Sequence, residues 1–194
     1  MRVLVTGFAP FGVHAVNPST AVALALDGLV RDGVTFVARA PLPVRYAEAA
    51  AVALDAARTL EAEAILALGL AAGTSHVRIE QRARNRASAS EPDAAGRVCA
   101  AEEAEPGGPE SLATALDTDT FVRALEAGGL SCAPSDDAGG YVCNDLYYRL
   151  LSASERGDGP AHVLFVHIPS NADELTALPD ALATAIVSAL QPAS

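Results

Sequence analysis

Short apolar segments alternate with helix-forming segments along the chain, and this alternation limits the folds open to it. Apolar runs at 2–6, 34–38 and 64–68 have the length of buried strands, and helical patterns at about 17–29 and 46–60 separate them. A strand–helix–strand–helix order is typical of α/β proteins, in which helices cover an open sheet. We therefore predict an α/β fold, and the length of 194 residues with 51% hydrophobic residues predicts one domain over 1–194.

Charge and cysteine content exclude several classes of function. The chain has 24 acidic and 13 basic residues and a net charge of -11, which argues against nucleic acid or a membrane surface as a partner. Three cysteines without CxxC spacing predict neither a disulfide framework nor a zinc site. The chain enters its first strand without an export signal, and no apolar run reaches the ~18 residues of a membrane helix. We expect a cytoplasmic protein.

Cys143 lies in the stretch with the strongest chemical signal. It follows the glycine turn Gly139-Gly140, and a helical pattern runs on through 145–151. A cysteine at a helix N-terminus has its thiolate favoured by the helix dipole, and the free N–H groups there suit an oxyanion. Cysteine alone is more often a small buried apolar residue, so a nucleophile at Cys143 requires a base nearby.

His167 is the candidate base, because it follows the apolar strand 163–166 at the sheet edge where α/β proteins build their sites. Glu80, in the alternating segment 76–83, has two interpretations. It is either a solvated partner of the neighbouring arginines or the acid that orients His167. In the second case the imidazole lies between the thiol and Glu80. The other histidines are assigned structural roles: His14, His76 and His162.

Three loops carry further signals. The loop at 7–12 contains Phe8 and Phe11, which either roof the core or wall an apolar pocket. The small-residue loop at 69–74 lacks the pattern of a phosphate-binding loop. The polar, acidic segment at about 88–109 has the composition of a lid or projecting loop.

Six motifs in order resemble the pyroglutamyl peptidase I family of cysteine peptidases over essentially the whole chain. They are Gly7-Phe8-Ala9-Pro10-Phe11-Gly12, Asn17-Pro18, Leu42-Pro43-Val44, Arg78-Ile79-Glu80, Tyr141-Val142-Cys143-Asn144 and His167-Ile168-Pro169. The resemblance implies a three-layer α/β/α sandwich around a mixed, mostly parallel sheet. It also implies removal of an N-terminal pyroglutamyl (5-oxoprolyl) residue through an acyl-enzyme, with no metal or organic cofactor. Cys143 would be the nucleophile, His167 the base and Glu80 the acid.

The resemblance also implies a substrate pocket, a peptide with a blocked N-terminus as partner, and assembly as a homodimer or homotetramer. The matching pocket positions are Phe8, Phe11, Leu70, Tyr141 and Val142. Leu70 replaces a glutamine usual in relatives, Tyr141 a phenylalanine, and an ungapped count places Ser90 where an arginine contributes to the site. Two alternatives therefore stay open. One is a homologue that binds peptide ends without turnover, and the other is a related cysteine amidase with a different acyl specificity.

Overall fold

The computed structural model describes residues 1–12, 15–170 and 176–191, so the structural role assigned to His14 lies outside the described residues. The strands are β1 Arg2–Phe8, β2 Val30–Arg31, β3 Val34–Leu42, β4 Ala64–Leu70, β5 Val77–Glu80, β6 Arg82–Arg84, β7 Ala87–Ala89, β8 Cys99–Glu102, β9 Ser111–Ala113, β10 Cys132–Ser135 and β11 His162–Ile168. The helices are α1 Pro18–Ala25, α2 Glu48–Thr59, α3 Thr118–Ala127, α4 Val142–Glu155 and α5 Leu178–Leu190.

A seven-stranded sheet in the order β10-β5-β11-β4-β1-β3-β2 forms the centre of the molecule. Parallel pairing joins β10 to β5, and it separately joins β11, β4, β1 and β3 in succession. Antiparallel pairing joins β5 to β11 and β2 to β3. The sheet is therefore mixed and mostly parallel, which confirms the predicted α/β class.

Helices cover both faces of this sheet because the central strands are apolar on both faces. In β4, Leu66 and Leu68 belong to the core that includes residues of α1, α3 and α5. Ile65 and Ala67 belong to a second core on the opposite face, with residues of α2 and α4. Strand side chains alternate between faces, so one strand supplies both cores. The result is the three-layer sandwich.

The first helix begins as the sequence predicts but ends earlier. Asn17 is the N-cap, and its side-chain oxygen accepts a hydrogen bond from the Ser19 N–H at 3.2 Å. The helix ends at Ala25 rather than near residue 29. The chain must turn after the helix, because residues 30–31 pair with the start of β3. This short hairpin turns at residues 32–33, where both residues have left-handed φ values of 49° and 78°.

The polar segment 88–109 is anchored to α4 and the residues just before it. The Tyr141 hydroxyl donates to the Pro92 carbonyl at 2.8 Å, and the Ser152 hydroxyl donates to Glu105 at 2.7 Å. Strands β7 and β8 pair within the segment, and most of its residues are exposed. The segment therefore has defined attachments although it contributes little to either core.

Asp93 organises the turn of this segment. Its carboxylate accepts hydrogen bonds from the backbone N–H groups of Ala95 and Arg97, each at 2.9 Å, and of Tyr46 at 3.2 Å. The residue is 7% exposed. Burial alone would raise the pKa of Asp93, but the hydrogen bonds from the backbone outweigh it and lower the pKa below its ordinary value. The ionised side chain therefore stabilises the fold.

We predict that Asp93→Asn lowers the free energy of unfolding at pH 7 by about 1–3 kcal/mol, because an ionised acceptor of three N–H groups is lost. The folded-state pKa of Asp93 lies below the ordinary value of 3.8, so its stabilisation is present above that pH and is lost as pH falls through the folded-state pKa. Denaturant unfolding at pH 7 and pH 3 measures both effects. Asp55→Asn, in an exposed pair with Arg58, is the control, and equal stability of Asp93→Asn and wild type at pH 7 would contradict the prediction.

Candidate active site

Cys143 is the second residue of α4, directly after a turn that requires glycine. Gly139 has a left-handed φ of 87°, and a Cβ on Gly140 would lie 2.3 Å from the Ser88 carbonyl oxygen. The N-cap residue Tyr141 makes no side-chain capping bond. The N–H groups of the first turn are therefore not capped by that side chain and lie at the positive end of the helix dipole.

His167 and Glu80 are joined by a buried hydrogen bond between the neighbouring strands β11 and β5. The distance from His167 Nδ1 to Glu80 Oε1 is 2.7 Å. Glu80 is fully buried and His167 is 6% exposed. Glu80 is therefore not the solvated partner of a charge ladder, which was the alternative interpretation of the sequence. A carboxylate only accepts, so Nδ1 is the donor in this bond, and in the neutral imidazole the lone pair is then on Nε2.

The Cys143 thiol lies over the end of β4. Gly69 of β4 is directly opposite His167 of β11. An ideal Cβ on Gly69 would be 3.1 Å from Cys143 Sγ and 2.7 Å from the Phe165 ring. The Phe165 ring is in turn 4.8 Å from the His167 ring, measured between centroids. The structure thus places the thiol at the carboxyl end of two parallel strands, against Gly69 together with the Phe165 ring, and Phe165 contacts the His167 that is bonded to Glu80.

The resting protonation state of Cys143 differs from the sequence-based expectation. Burial of the thiol and, second, the nearby Glu80 charge raise its pKa to about 12, although its own backbone N–H acts in the opposite direction. The helix N-terminus alone therefore does not produce a thiolate in the free protein. A base is required to remove the proton when the sulfur attacks.

Arg78 is a member of the site that was not among the predicted site residues. Its guanidinium is 3.1 Å from Glu80 Oε1, and it donates to the Ser135 hydroxyl at 2.7 Å. Arg78 and Glu80 are two residues apart on β5, the spacing that places both side chains on one face of a strand. That spacing was the available signal, but four arginines near Glu80 made it ambiguous.

Aromatic rings lie beside the turn that leads into Cys143. The Tyr141 ring is 5.8 Å from Phe11 and 5.8 Å from Tyr46, centroid to centroid. Phe11 and Tyr141 are partly buried, whereas Phe8 and Val142 are buried in the core on the α2 and α4 side of the sheet. Tyr46 was not a predicted site residue, because it lies outside any motif and its contact with Tyr141 joins distant parts of the chain.

Leu70 and Ser90 are two of the three positions that depart from the family pattern. Leu70 is the last residue of β4 and pairs with Ile168. Because successive side chains of a strand point to opposite faces, the Leu70 side chain begins on the face opposite to the one where a Cβ on Gly69 would lie. Ser90 is exposed. Arg84 and Arg86, the arginines nearest to Ser90 in the sequence, line a surface cavity of about 520 Å³ together with Arg82, Asn85, Ala101, Glu102, Glu103, Glu110 and Ser111.

The described residues contain neither a cluster suited to a metal ion nor a helix suited to crossing a membrane. Across 1–12, 15–170 and 176–191, no three His, Cys, Asp or Glu side chains come together in a group suited to a metal ion. None of the helices within the same ranges has the length and apolar character needed to cross a membrane.

The chain is similar to known proteins over nearly its whole length. The family model described as pyroglutamyl peptidase matches residues 1–191. A pyrrolidone-carboxylate peptidase of Mycobacterium tuberculosis (strain H37Rv) is 33% identical over 171 residues, covering 87% of this chain and 77% of the relative. One from Yersinia pestis is 34% identical over 168 residues, covering 87% and 78%.

Solved structures agree in fold. Pyroglutamyl peptidase I of Bacillus amyloliquefaciens superposes with a TM-score of 0.91 at 30% identity, covering 97% of this chain and 96% of that one. Pyrrolidone carboxyl peptidase of Pyrococcus furiosus gives 0.92 at 29% identity and 98% coverage of both chains. The chain belongs to the pyroglutamyl peptidase family of cysteine-type exopeptidases.

Proposed function

We propose that this protein removes the N-terminal pyroglutamyl residue from peptides, with Cys143 as nucleophile, His167 as general base and acid, and Glu80 as the acid that orients His167. The observation that supports this most is the buried 2.7 Å bond from His167 Nδ1 to Glu80, beside a cysteine at a helix N-terminus. The proposal that the site accepts a pyroglutamyl group rests on membership of the pyroglutamyl peptidase family.

Acylation begins with proton transfer from the thiol to His167. Because Nδ1 is engaged by Glu80, Nε2 is the nitrogen that takes the Cys143 proton as sulfur attacks the carbonyl carbon of the pyroglutamyl residue. The tetrahedral intermediate then expels the peptide amine, which receives the proton from His167. The products of this step are a free peptide and a thioester between Cys143 and the pyroglutamyl group.

Deacylation repeats the same proton transfers with water. His167 takes a proton from water, the hydroxide oxygen attacks the thioester carbonyl, and the Cys143 sulfur leaves and regains its proton. Pyroglutamate is released. The raised pKa of Cys143 makes this base essential in both steps, because the resting sulfur is a thiol and its anion is a reactive leaving group.

The start of α4 is proposed to hold the oxyanion in both steps. The Cys143 N–H belongs to the first turn of the helix, and Tyr141 does not cap that turn with its side chain. Backbone donors at a helix N-terminus stabilise the negative oxygen that develops during acyl transfer.

The pyroglutamyl ring is proposed to bind against apolar and aromatic side chains. The lactam is flat and uncharged, so it suits a site without a fixed charge. Phe11 and Tyr141 have partly exposed rings in contact with each other, and Phe8 and Val142 lie in the core below them. Leu70, the remaining predicted pocket residue, starts on the face of β4 opposite to the thiol and has no hydrogen-bonding group for the lactam.

Two other functions remain candidates because of Leu70 and Ser90. Without the glutamine and arginine usual in the family, the two alternatives are a related cysteine amidase that accepts a different small acyl group and a homologue that binds peptide ends without turnover. Losing a group that reads a buried polar atom changes discrimination between substrates by powers of ten, whereas the nucleophile and base are unaffected.

Several broader properties are also proposals. We propose one domain over 1–194, with 88–109 as a lid, supported by the bond from Tyr141 to Pro92 that fixes this segment beside the start of α4. A peptide with a blocked N-terminus is the proposed partner. Assembly as a homodimer or homotetramer and a cytoplasmic location stay predictions.

We predict that purified protein releases the reporter from pyroglutamyl amides and leaves unblocked aminoacyl amides intact. Cys143→Ala abolishes release because no acyl-enzyme forms, and Cys132→Ala, at a cysteine outside the site, leaves it unchanged. Steady-state assays of all three proteins measure this. Release only from a different acyl amide would favour the amidase, and binding without release from any amide would favour the non-catalytic homologue.

We predict that Gly69→Ala lowers kcat for the pyroglutamyl reporter at least tenfold, because the new methyl group displaces Phe165 and the Cys143 sulfur, and small displacements of reacting atoms cost large factors in rate. Gly73→Ala is the matched control, since a Cβ there meets no atom within 4 Å. Circular dichroism establishes that both variants fold. A folded Gly69→Ala protein with wild-type kcat would refute the placement of the thiol over β4.

A further inference from the structure

The Arg78 guanidinium is held in place by three groups at the outer end of the His167–Glu80 pair. It lies 3.1 Å from Glu80 Oε1, donates to the Ser135 hydroxyl at 2.7 Å, and donates to the Asp137 carbonyl oxygen. Its side chain is 27% exposed. One terminal nitrogen of the guanidinium makes all three contacts, which hold it beside Glu80.

Strand register places this arrangement on one face of the sheet. Arg78 is directly opposite His167 in the antiparallel β5–β11 pair, and Glu80 is directly opposite Ser135 in the parallel β5–β10 pair. Side chains two residues apart, and side chains directly opposite each other, share a face. Three adjacent strands thus contribute to one chain of contacts that ends at the imidazole.

The surroundings of Glu80 show why a permanent positive charge, that of Arg78, is needed beside this carboxylate. Glu80 is fully buried, its Oε1 is 2.7 Å from His167 Nδ1 and 3.1 Å from the Arg78 guanidinium, and its Oε2 has no hydrogen-bond partner among the described residues. A buried carboxylate is costly without a cation beside it. His167 supplies that cation only while it is protonated, which in the proposed cycle is part of the time. Arg78 is charged throughout.

The other groups that face Glu80 do not supply a charge at neutral pH. From α4, the Cys143 thiol has a pKa raised by burial to about 12, and the Tyr147 hydroxyl, whose pKa burial also raises, donates to the Glu80 carbonyl oxygen. From β10 and the loop after it, Ser135 and the Asp137 carbonyl act through Arg78.

We propose that Arg78 is a positioning residue for the reaction. It keeps Glu80 ionised while His167 is neutral, and it holds the Glu80 carboxylate against His167 Nδ1. This inference rests on the proposed function, since it assigns Arg78 a role in the proton transfers of that cycle. Arg78 acts through Glu80 and His167 and does not contact the substrate.

The test is the pH profile of kcat/KM for the pyroglutamyl reporter in wild type, Arg78→Met and Arg78→Lys. An opposite charge favours the ionised form of a carboxylate, and a like charge disfavours the imidazolium. Removing Arg78 therefore moves the acid limb to higher pH by about one unit and lowers kcat/KM about tenfold on that limb, with KM nearly unchanged. Arg78→Lys retains the charge and keeps the limb near its wild-type position.

Arg82→Met is the matched control, because Arg82 also reaches the loop after β10, pairing with Asp136 at 3.0 Å on the surface. Its profile should equal that of wild type. Ser135→Ala, which removes one acceptor of Arg78 but leaves the charge, guards against a fold that does not tolerate Arg78→Met; it should give a smaller shift in the same direction.

Alkylation of Cys143 by iodoacetamide against pH separates this inference from the proposed function. The rising limb of alkylation should also move to higher pH in Arg78→Met, whether or not any pyroglutamyl amide is cleaved. A wild-type protein that cleaves none refutes the proposed function and leaves this readout intact. The positioning role is wrong if the acid limb of kcat/KM and the rising limb of alkylation both lie at the same pH in Arg78→Met as in Arg82→Met. It is also wrong if Arg78→Met changes only KM.

Discussion

The 2.7 Å hydrogen bond between His167 and the fully buried Glu80 is the interaction on which the rest of the site depends. It assigns the proton to Nδ1 and leaves Nε2 as the only ring nitrogen able to accept one. Cys143 needs that acceptor, because burial and the Glu80 charge keep its sulfur protonated at rest. In the proposed mechanism, nucleophile, base and acid therefore form a single unit in which none is effective alone.

The mixed sheet makes this interaction possible. In a wholly parallel arrangement the carboxyl ends of strands would meet at one edge, but β5 runs antiparallel to β11 and so brings Glu80, at its own end, alongside the interior of β11. The parallel β4–β11 pair then places Gly69 opposite His167, and the absence of a side chain there admits the Cys143 sulfur. The register of the strands therefore determines the site. A slip of one residue in a strand would move the site side chains of that strand to the other face of the sheet.

Much of this arrangement could be predicted from local patterns in the sequence. The apolar runs indicated the central strands, and the glycine turn before Cys143 indicated a helix start, because both signals lie within a few neighbouring residues. The Arg78 contact and the burial of Glu80 could not be predicted in the same way, since they arise where three strands from distant parts of the chain meet. The high pKa of Cys143 likewise reflects its tertiary surroundings, which outweigh the local effect of the helix N-terminus.

A double-mutant cycle on kcat/KM with Glu80→Gln and His167→Ala tests the central claim most directly. If Glu80 acts through the imidazole, Glu80→Gln is strongly impaired in the wild-type background and has no further effect once His167 is absent. The double variant is then as active as His167→Ala alone. Losses that multiply, with the double variant slower than His167→Ala by the full factor of Glu80→Gln, would contradict the account.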